Sequence, residues 1–532
     1  MIPLHVHSNY SLLQGAATID NLISKAKEYN LTSLALTDTN GMYGLIGFAK
    51  LCIDNKLKPI LGAYIDDPND SKIFCTVLAK NNLGYAELCK LITMRKLNED
   101  FNLVKLLNTG FQYLLVFTSS IDLLCKMQRK DSYVELISVK SKRKQNRKLF
   151  EFAKQRNLKC MVTNPIYFLN KDDYLIHKIL TAIRLNKNLD NLSELDVVDE
   201  EFYFKNPAEI EHHWKSIPEV IANTNEIASL CNVDLKLNEY KFPSYHLPNN
   251  ENANSYLQKI AYDGLTQRYK PVTEQAVSRL NYELSVINEL NFSEYFLVVW
   301  DIVKEAKRRG MMTIGRGSAA NSLVSYCLGL TEVDPIKYNL YFERFLNKGR
   351  SSPPDVDIDF SWKERDEIIR YVFEKYGYEN VAMISTHVTF RARSAFREVA
   401  KAFGISNEEI SKYSKFIPWT KAENLSNLSQ IFPEAKKLKL NIEPWKTIVE
   451  IASRIGNFPR HLSIHPGGIV LAPKPITNYT ALEYAKNKGL GLIITQPDMY
   501  GIEDLGLVKI DLLSQRSLGV LRDTINSLNR KF

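Results

Sequence analysis

The most informative segment of this chain is PDVDIDF, residues 354–360. Successive side chains of an extended strand point to opposite faces, so Asp355, Asp357 and Asp359 are expected on one face and the apolar residues on the other. Carboxylates held this close repel one another, and a divalent cation such as Mg²⁺ or Mn²⁺ relieves that repulsion because it takes oxygen ligands. The alternative is a solvated face whose charges protect an edge strand from aggregation.

The composition is that of a folded protein with several domains. At 532 residues the chain exceeds what one hydrophobic core serves, so about three or four domains are expected. Its 45% hydrophobic and 24% charged residues are typical of a globular chain rather than a disordered one. The net charge of +9 permits a polyanionic partner such as nucleic acid.

The cysteines and the N-terminus bear on the compartment. Seven cysteines are scattered singly, and no Cys-x-x-Cys pair occurs. This is typical of buried thiols in a reducing compartment rather than of a disulfide framework or a zinc ribbon. The N-terminus lacks a signal-peptide pattern, and no uncharged apolar run reaches membrane-spanning length. We therefore expect a cytoplasmic protein with no membrane partner.

The first two hundred residues or so alternate short apolar runs with amphipathic stretches. This alternation predicts an α/β sheet or barrel, in which chemistry sits at the carboxyl ends of the strands. The runs predicted as strands are residues 31–38, 58–65, 73–80, 112–119 and 158–165.

Two histidines near the N-terminus are the first candidates for chemistry. His5 and His7 are alternate residues of an extended segment, so both imidazoles are expected on one side. A metal site needs three or four ligands, and Asp38, at the end of a predicted strand, is a candidate for the third. The alternative is a pair of hydrogen-bonded structural histidines.

A glycine turn precedes the acidic strand. The stretch MTIGRGSAANSLVSYCLGL, residues 312–330, predicts a strand, a turn and an apolar helix. A glycine turn that opens a helix directs free N–H groups at an anion, and Arg316 and Ser318 add donors for phosphate oxygens. Gly315 and Gly317 belong to this candidate site. The turn is not a Walker loop, because the Gly-Lys-Ser/Thr ending is absent.

A basic helix is predicted after the acidic strand. Residues 390–404 place Arg393, Arg397 and Lys401 on one helical face, with Arg391 just before them. Such a stripe is suited to contacting a nucleic-acid backbone, and the alternative is a solvated face. Further on, His461 and His465 have a spacing seen in zinc sites. A loop that contacts substrate or packs the fold is the better interpretation, because Pro466 and two glycines follow directly.

A second acidic strand is predicted at GLVKIDLL, residues 506–513. Alternation places Lys509 and Asp511 on one face of this strand. Acids on two strands are what a two-metal phosphoryl-transfer site needs, and a lysine beside them would neutralise phosphate charge. Together with the glycine turn and the basic helix, the pattern indicates nucleotidyl transfer on a polyanion.

With these motifs, the chain resembles the N-terminal part of the alpha subunit of bacterial DNA polymerase III, a C-family DnaE-type polymerase. The resemblance runs along essentially the whole chain. Two sequence segments, SPPDVDIDFSWKERD and DLLSQR, further resemble a Bacteroidetes-type or error-prone branch of this family. The matching sequence motifs include LHVHSNYSLLQGA, GRGSAANSLVSY, PPDVDIDFSWKERD, RHLSIHPGGIVLAP and ITQPDMYGIEDLGLVKIDLL.

The resemblance implies a multidomain α/β protein that begins with a polymerase-and-histidinol-phosphatase (PHP) α/β barrel. A polymerase-beta-like nucleotidyltransferase palm with an inserted helical thumb follows. The expected boundaries are PHP-like domain 1–235, first palm part with leading helices 236–390, thumb 391–480 and second palm part 481–532.

The resemblance also assigns roles. Asp355, Asp357 and Asp511 would hold two Mg²⁺, or Mn²⁺, with Asp359 in support. Lys509 would contact phosphate, and the glycine-turn residues Gly315, Arg316, Gly317 and Ser318 would lie along the incoming triphosphate. The implied reaction is template-directed addition of dNMP to a primer 3′-hydroxyl, with primer-template DNA and dNTPs as substrates.

Two departures from the family pattern stand out. The PHP metal-ligand positions read Asp38-Thr39, Ala63-Tyr64 and Asn164 to Tyr167, so His5, His7 and Asp38 are expected to be a remnant without metal. The chain also stops at Phe532, where the family continues into fingers, a helix-hairpin-helix region, a clamp-binding motif and an OB-fold. We expect those regions to contact the sliding clamp and other replisome subunits, or a second polypeptide to supply the fingers.

Two other functions stay open. A PHP-type metallophosphoesterase would use the histidines near the N-terminus for metal-dependent hydrolysis. A non-catalytic DNA-binding or assembly fragment of a polymerase would bind template in a salt-dependent way without extending a primer.

Overall fold

The chain divides into two units. The computed structural model describes residues 1–129, 131–245, 247, 251–349, 354, 356–438, 440–485 and 492–529. The first unit comprises Met1–Leu235, Thr386–Ser463 and Thr477–Asn487. The second unit comprises Lys236–Ser385, Ile464–Ile476 and Lys488–Phe532. None of the described helices is long and apolar enough to cross a membrane.

The first unit contains a mixed six-stranded sheet in the order β1-β2-β3-β4-β5-β6. All five runs predicted as strands are confirmed, and a sixth, residues 132–137, was missed. Strands β2 and β3 form an antiparallel hairpin instead of alternating with a helix, and β4, β5 and β6 run parallel. The strands are β1 Ser33–Leu36, β2 Lys58–Asp67, β3 Asp70–Ala79, β4 Leu114–Thr118, β5 Ser132–Ile137 and β6 Lys159–Thr163.

The N-terminal segment joins the two edges of this curled sheet. The backbone N–H of Thr37, just after β1, donates to the carbonyl of Val6, and the N–H of His7 donates to the carbonyl of Ile166, just after β6. Helices surround the sheet. They are α1 Ile19–Glu28, α2 Leu45–Asp54, α3 Asn82–Leu97, α4 Leu103–Thr109, α5 Ile121–Lys126, α6 Arg143–Arg156, α7 Tyr174–Leu185, α8 Pro207–His213 and α9 Pro218–Leu230.

The second unit begins with three long helices and then forms the acidic strand. Val356, Ile358 and Phe360 are buried, as the alternation predicted. The elements are α10 Ala253–Arg268, α11 Glu274–Glu289, α12 Ser293–Arg308, β7 Thr313–Arg316, α13 Leu323–Cys327, β8 Asp357–Ser361, α14 Arg365–Tyr376 and β9 Val381–Thr389.

A helical segment of the first unit follows β9. Its core includes Phe396 and Trp445, whose rings stack with centroids 5.6 Å apart. The predicted basic helix is confirmed as α15. The elements are α15 Ala392–Ala402, α16 Asn407–Ser414, α17 Leu428–Ile431, α18 Trp445–Arg454, β10 Pro459–Leu471 and β11 Leu482–Tyr484.

The strands of the second unit run in the order β12-β9-β10-β13-β8-β7. β13 is parallel to β8 and antiparallel to β10, and β7 is antiparallel to β8. This order places the two acidic strands side by side. The last elements are β12 Ile493–Asp498, α19 Met499–Asp504, β13 Val508–Gln515 and α20 Arg516–Asn529.

Close packing of α10 on α13 gives a testable prediction. A Cβ on Gly264 would lie 2.0 Å from the carbonyl oxygen of Cys327, whereas a Cβ on Gly47, in α2, would meet nothing within 4 Å. Gly264→Ala is therefore expected to destabilise the protein by about 2 kcal/mol through overpacking. Gly47→Ala is the matched control and is expected to be neutral or to stabilise by about 0.5–1 kcal/mol. Thermal denaturation measures both, and equal melting temperatures would contradict the close packing.

Candidate functional site

Two carboxylates meet on neighbouring strands of the second unit. In the parallel pair of β8 and β13, Asp357 lies directly opposite Asp511. Neighbouring strands are about 4.8 Å apart, so both carboxylates start from adjacent points of one sheet. Asp355, the first of the predicted acids, lies outside the described residues.

Asp511 is buried, with 6% of its surface exposed. The ammonium of Lys509 donates to its Oδ2 at 2.8 Å. Its Oδ1 is buried and has no hydrogen-bond partner in the described part of the chain. A buried carboxylate oxygen without a partner is costly, so this atom is suited to bind a cation.

His465 lies beside that oxygen, with its Nδ1 3.6 Å from Asp511 Oδ1. The same nitrogen accepts a hydrogen bond from the backbone N–H of Gly468 at 2.6 Å, and Gly467 donates to it at 3.3 Å. A ring nitrogen that accepts carries no proton, so it supplies none to Asp511. A Cβ on Gly468 would lie 2.7 Å from this nitrogen, so any larger residue at this position would crowd the His465 ring.

Arg316, at the end of β7, faces the acidic strand. Its Nε lies 3.3 Å from Asp359 Oδ1 and 3.9 Å from Asp357 Oδ2. Gln515 Nε2 also approaches Asp359 Oδ1, at 3.4 Å. The guanidinium therefore partly neutralises two carboxylates of β8, while about half of its own side chain stays exposed.

The glycine turn holds its backbone close to these acids. Gly317 has a φ of +70°, which favours glycine, and a Cβ there would lie 3.7 Å from Asp357 Oδ2. Gly315 has a packing role, because a Cβ would come within 1.9 Å of the Leu330 carbonyl oxygen. Ser318 lies in the turn, and its carbonyl accepts from the side chain of Asn321.

The strand, turn and apolar helix predicted here are present, but the α-helix does not open directly at the turn. Residues Gly317–Asn321 form a short 3-10 helix, and α13 begins only after Ser322. Glu283, fully buried on α11, binds the N-terminus of α13. Its Oε2 accepts from the N–H of Val324 at 3.0 Å and from the hydroxyl of Ser322 at 2.8 Å. The helix N-terminus is thus already bound by a carboxylate of the chain.

Glu283 is itself held in place. Burial raises the pKa of its carboxyl, while hydrogen bonds from Arg279 and the turn lower it. Arg279 donates from Nε to Glu283 at 2.7 Å and from a terminal nitrogen to the carbonyls of Asn321 and Leu340. The pair fixes the position of the turn relative to α11.

The residues at this site fit a hard divalent cation. Asp357 and Asp511 supply carboxylate oxygens from two strands, and Asp511 Oδ1 has no other partner among the described residues. Arg316 and Lys509 add positive charge next to the same oxygens. The described residues include no group of three His, Cys, Asp or Glu side chains arranged to hold a metal.

His5 and His7 form a closed hydrogen-bond chain in the first unit. His5 Nδ1 donates to Glu135 Oε1 at 2.7 Å, so its Nε2 accepts, and His7 Nε2 lies 3.1 Å away as the donor. His7 Nδ1 then accepts from the Thr39 hydroxyl at 3.2 Å. Burial, and then the neighbouring His5 and His177, lower the pKa of His7 well below its ordinary value, so His7 stays neutral.

The carboxylate of Asp38 is likewise hydrogen-bonded within the protein. Its two oxygens accept from the N–H and hydroxyl of Ser8 and from the hydroxyl of Ser11. Burial is the largest effect on its carboxyl and raises the pKa to about 6. The groups that a metal would need already bind one another, so the residues present do not fit a PHP metal centre.

A cavity of about 670 Å³ opens beside His5.

The basic residues of α15 lie in the first unit. Arg393 donates twice to the carbonyl of Ile417, and Arg397 donates to the hydroxyls of Ser411 and Ser414. Lys401 pairs with Glu398 at 3.3 Å. Arg391 is exposed at the N-cap of the helix. Two of the four predicted DNA contacts therefore hold neighbouring segments of the protein in place.

Sequence reasoning missed two residues of these sites and placed a third in the wrong kind of element. Glu135 lies in the strand that was not predicted, and a single carboxylate in the apolar run SYVELI was its signal. Glu283 gave no local signal, because it acts on a segment distant in sequence. His465 was expected in a loop that contacts substrate or packs the fold, but it lies in strand β10, with its ring against the backbone of the two glycines that follow Pro466.

Two family models match the chain. The model for the PHP domain matches residues 3–168, and the model for the bacterial DNA polymerase III alpha NTPase domain matches residues 255–514. The second match includes the glycine turn and both acidic strands.

Relatives align along nearly the whole chain. The DNA polymerase III subunit alpha of Bacillus subtilis is 34% identical over all of this chain and 49% of its own length. The error-prone DNA polymerase of Symbiobacterium thermophilum is 32% identical over 99% of this chain and 52% of its own length. The DNA polymerase III subunit alpha of Thermus aquaticus is 30% identical over 97% of this chain and 51% of its own length. The chain spans about half the length of these relatives, and it belongs to the family of bacterial DNA polymerase III alpha subunits.

Proposed function

We propose that this chain carries the catalytic core of a template-directed DNA polymerase acting in replication or repair. The observation that carries the proposal is the pair Asp357 and Asp511 on neighbouring strands, with one buried oxygen of Asp511 left without a partner among the described residues. The family and the names of the relatives support the same activity.

The proposed reaction transfers dNMP from a dNTP to a primer 3′-hydroxyl and releases pyrophosphate. Asp357 and Asp511, with Asp355, would hold two Mg²⁺ or Mn²⁺, and Asp359 would support them. Bound there, such ions would lower the pKa of the attacking hydroxyl and stabilise both reacting oxygens. Arg316 and Lys509 would take up charge of the triphosphate, which lies along the backbone of Gly315, Gly317 and Ser318.

The units have different roles in this proposal. Residues 236–390 and 481–532 would form a polymerase-beta-like palm, most of which belongs to the second unit. Residues 391–480 would form the thumb, and residues 1–235 would be a structural PHP domain without metal. Primer-template DNA and dNTPs are the proposed substrates. The regions that relatives have beyond this length would supply fingers and contacts to the clamp and other replisome subunits.

Primer extension tests the catalytic assignment. Asp511→Asn and Asp357→Asn are expected to lower extension by at least about a hundredfold, because each removes charge that stabilises the reacting oxygens. Asp523→Asn is the matched control, since that exposed residue pairs with Lys363 on the surface. The assay runs with Mg²⁺ and then Mn²⁺. Wild-type rates in Asp511→Asn, or no extension by the wild-type protein, would contradict the proposal.

The guanidinium of Arg316 gives a second prediction. It lies against Asp357 and Asp359 and therefore competes electrostatically with a divalent cation. Arg316→Gln is expected to tighten Mn²⁺ binding about three- to tenfold without nucleotide, an effect of about 1 kcal/mol for a partly exposed pair. Electron paramagnetic resonance of free Mn²⁺ measures the affinity, with Arg308→Gln as the control, since that exposed residue pairs with Glu305. Weaker binding would show that Arg316 positions the carboxylates instead.

A further inference from the structure

A tryptophan stands almost fully exposed in the helical segment of the first unit. Trp419 belongs to the sequence KFIPWTK, residues 415–421, which we call the Trp419 loop, and 92% of its surface is accessible. Phe416, in the same loop, is 37% exposed. An indole ring held in water offers an aromatic face on which a base can stack, so the charges near this loop bear on what it could bind.

The loop is held firmly to the helix behind it. Arg393 donates from Nε and a terminal nitrogen to the carbonyl of Ile417, at 3.1 and 2.6 Å. The N–H of Ala392 donates to the carbonyl of Thr420 at 3.2 Å. Ile417 itself is fully buried in the core of the segment. Trp419 is therefore presented by a loop that is fixed on both sides of it.

The charged residues within the Trp419 loop, and those between Glu409 and the loop, are all positive. Lys412, Lys415 and Lys421 are exposed, and no acidic residue occurs between Glu409 and Glu423. Arg391 is exposed at the start of α15, next to Ala392, which bonds the loop. An apolar protein partner would have to desolvate these cations, whereas a nucleic-acid strand would pair its phosphates with them.

We propose that the Trp419 loop binds single-stranded DNA, with the indole stacked on an unpaired base and the lysines paired with phosphates. The inference rests on the proposed function and adds a contact that the basic stripe of α15 does not describe. In this arrangement Arg393 is a positioning residue, because its guanidinium is occupied by the Ile417 carbonyl.

The test measures binding of a fluorescein-labelled dT oligonucleotide and of a blunt duplex by anisotropy at fixed salt. Trp419→Ala is expected to weaken oligonucleotide binding about tenfold, as the loss of one stacked base does, and to change duplex binding less than about twofold. Trp419→Phe is expected to retain most of the affinity. Leu195→Ala is the matched control, since Leu195 is 98% exposed between Glu194 and Asp196.

The outcomes separate this inference from the proposed function. If Trp419→Ala binds the oligonucleotide as tightly as the wild-type protein, the loop contact is overturned while the polymerase proposal stands. Equal losses on oligonucleotide and duplex overturn stacking on an unpaired base. If the wild-type protein binds neither probe, the proposed function fails together with the inference. Arg393→Lys, which removes one of two donors, is expected to weaken oligonucleotide binding by a smaller factor than Trp419→Ala.

Discussion

The close approach of two carboxylates on neighbouring strands is the constraint on which the second unit depends. Burying charge is costly, and Asp357 and Asp511 would repel each other without cations nearby. The apolar faces of β8 and β13 hold them in place, because Ile358 and Ile510 are buried in the core. Arg316, which faces β8, and Lys509, which pairs with Asp511, offset part of the repulsion.

The polar clusters of the two units differ in whether their hydrogen-bonding atoms all have partners. In the first unit, His5, His7 and Glu135 satisfy one another in a directed hydrogen-bond chain, and the cluster is complete without a ligand. In the second unit, Asp511 keeps a buried oxygen without a partner among the described residues. A saturated cluster stabilises a fold, whereas an unsaturated one is suited to bind something. This contrast supports the proposal that the chemistry takes place in the second unit.

The sequence predicted what depends on local periodicity and missed what depends on distant partners. The alternation of acids and apolar residues was enough to predict β8 and β13. Their parallel pairing was not readable, because register is set by packing between segments far apart in sequence. Nor could the sequence show that the α-helix after the glycine turn begins only at Leu323, with its N-terminus bound by Glu283 from another helix. Likewise, helical spacing identified α15 but not the carbonyl that Arg393 binds.

The central claim, that the divalent cation binds between β8 and β13, can be tested by cleavage of the protein backbone. Fe²⁺ replaces the bound cation, and ascorbate with peroxide then generates hydroxyl radicals that cut the chain close to the metal. Cuts are expected near residues 357 and 511, and excess Mg²⁺ is expected to suppress them. Cuts near His5, His7 and Asp38 instead, or no localised cuts, would contradict it.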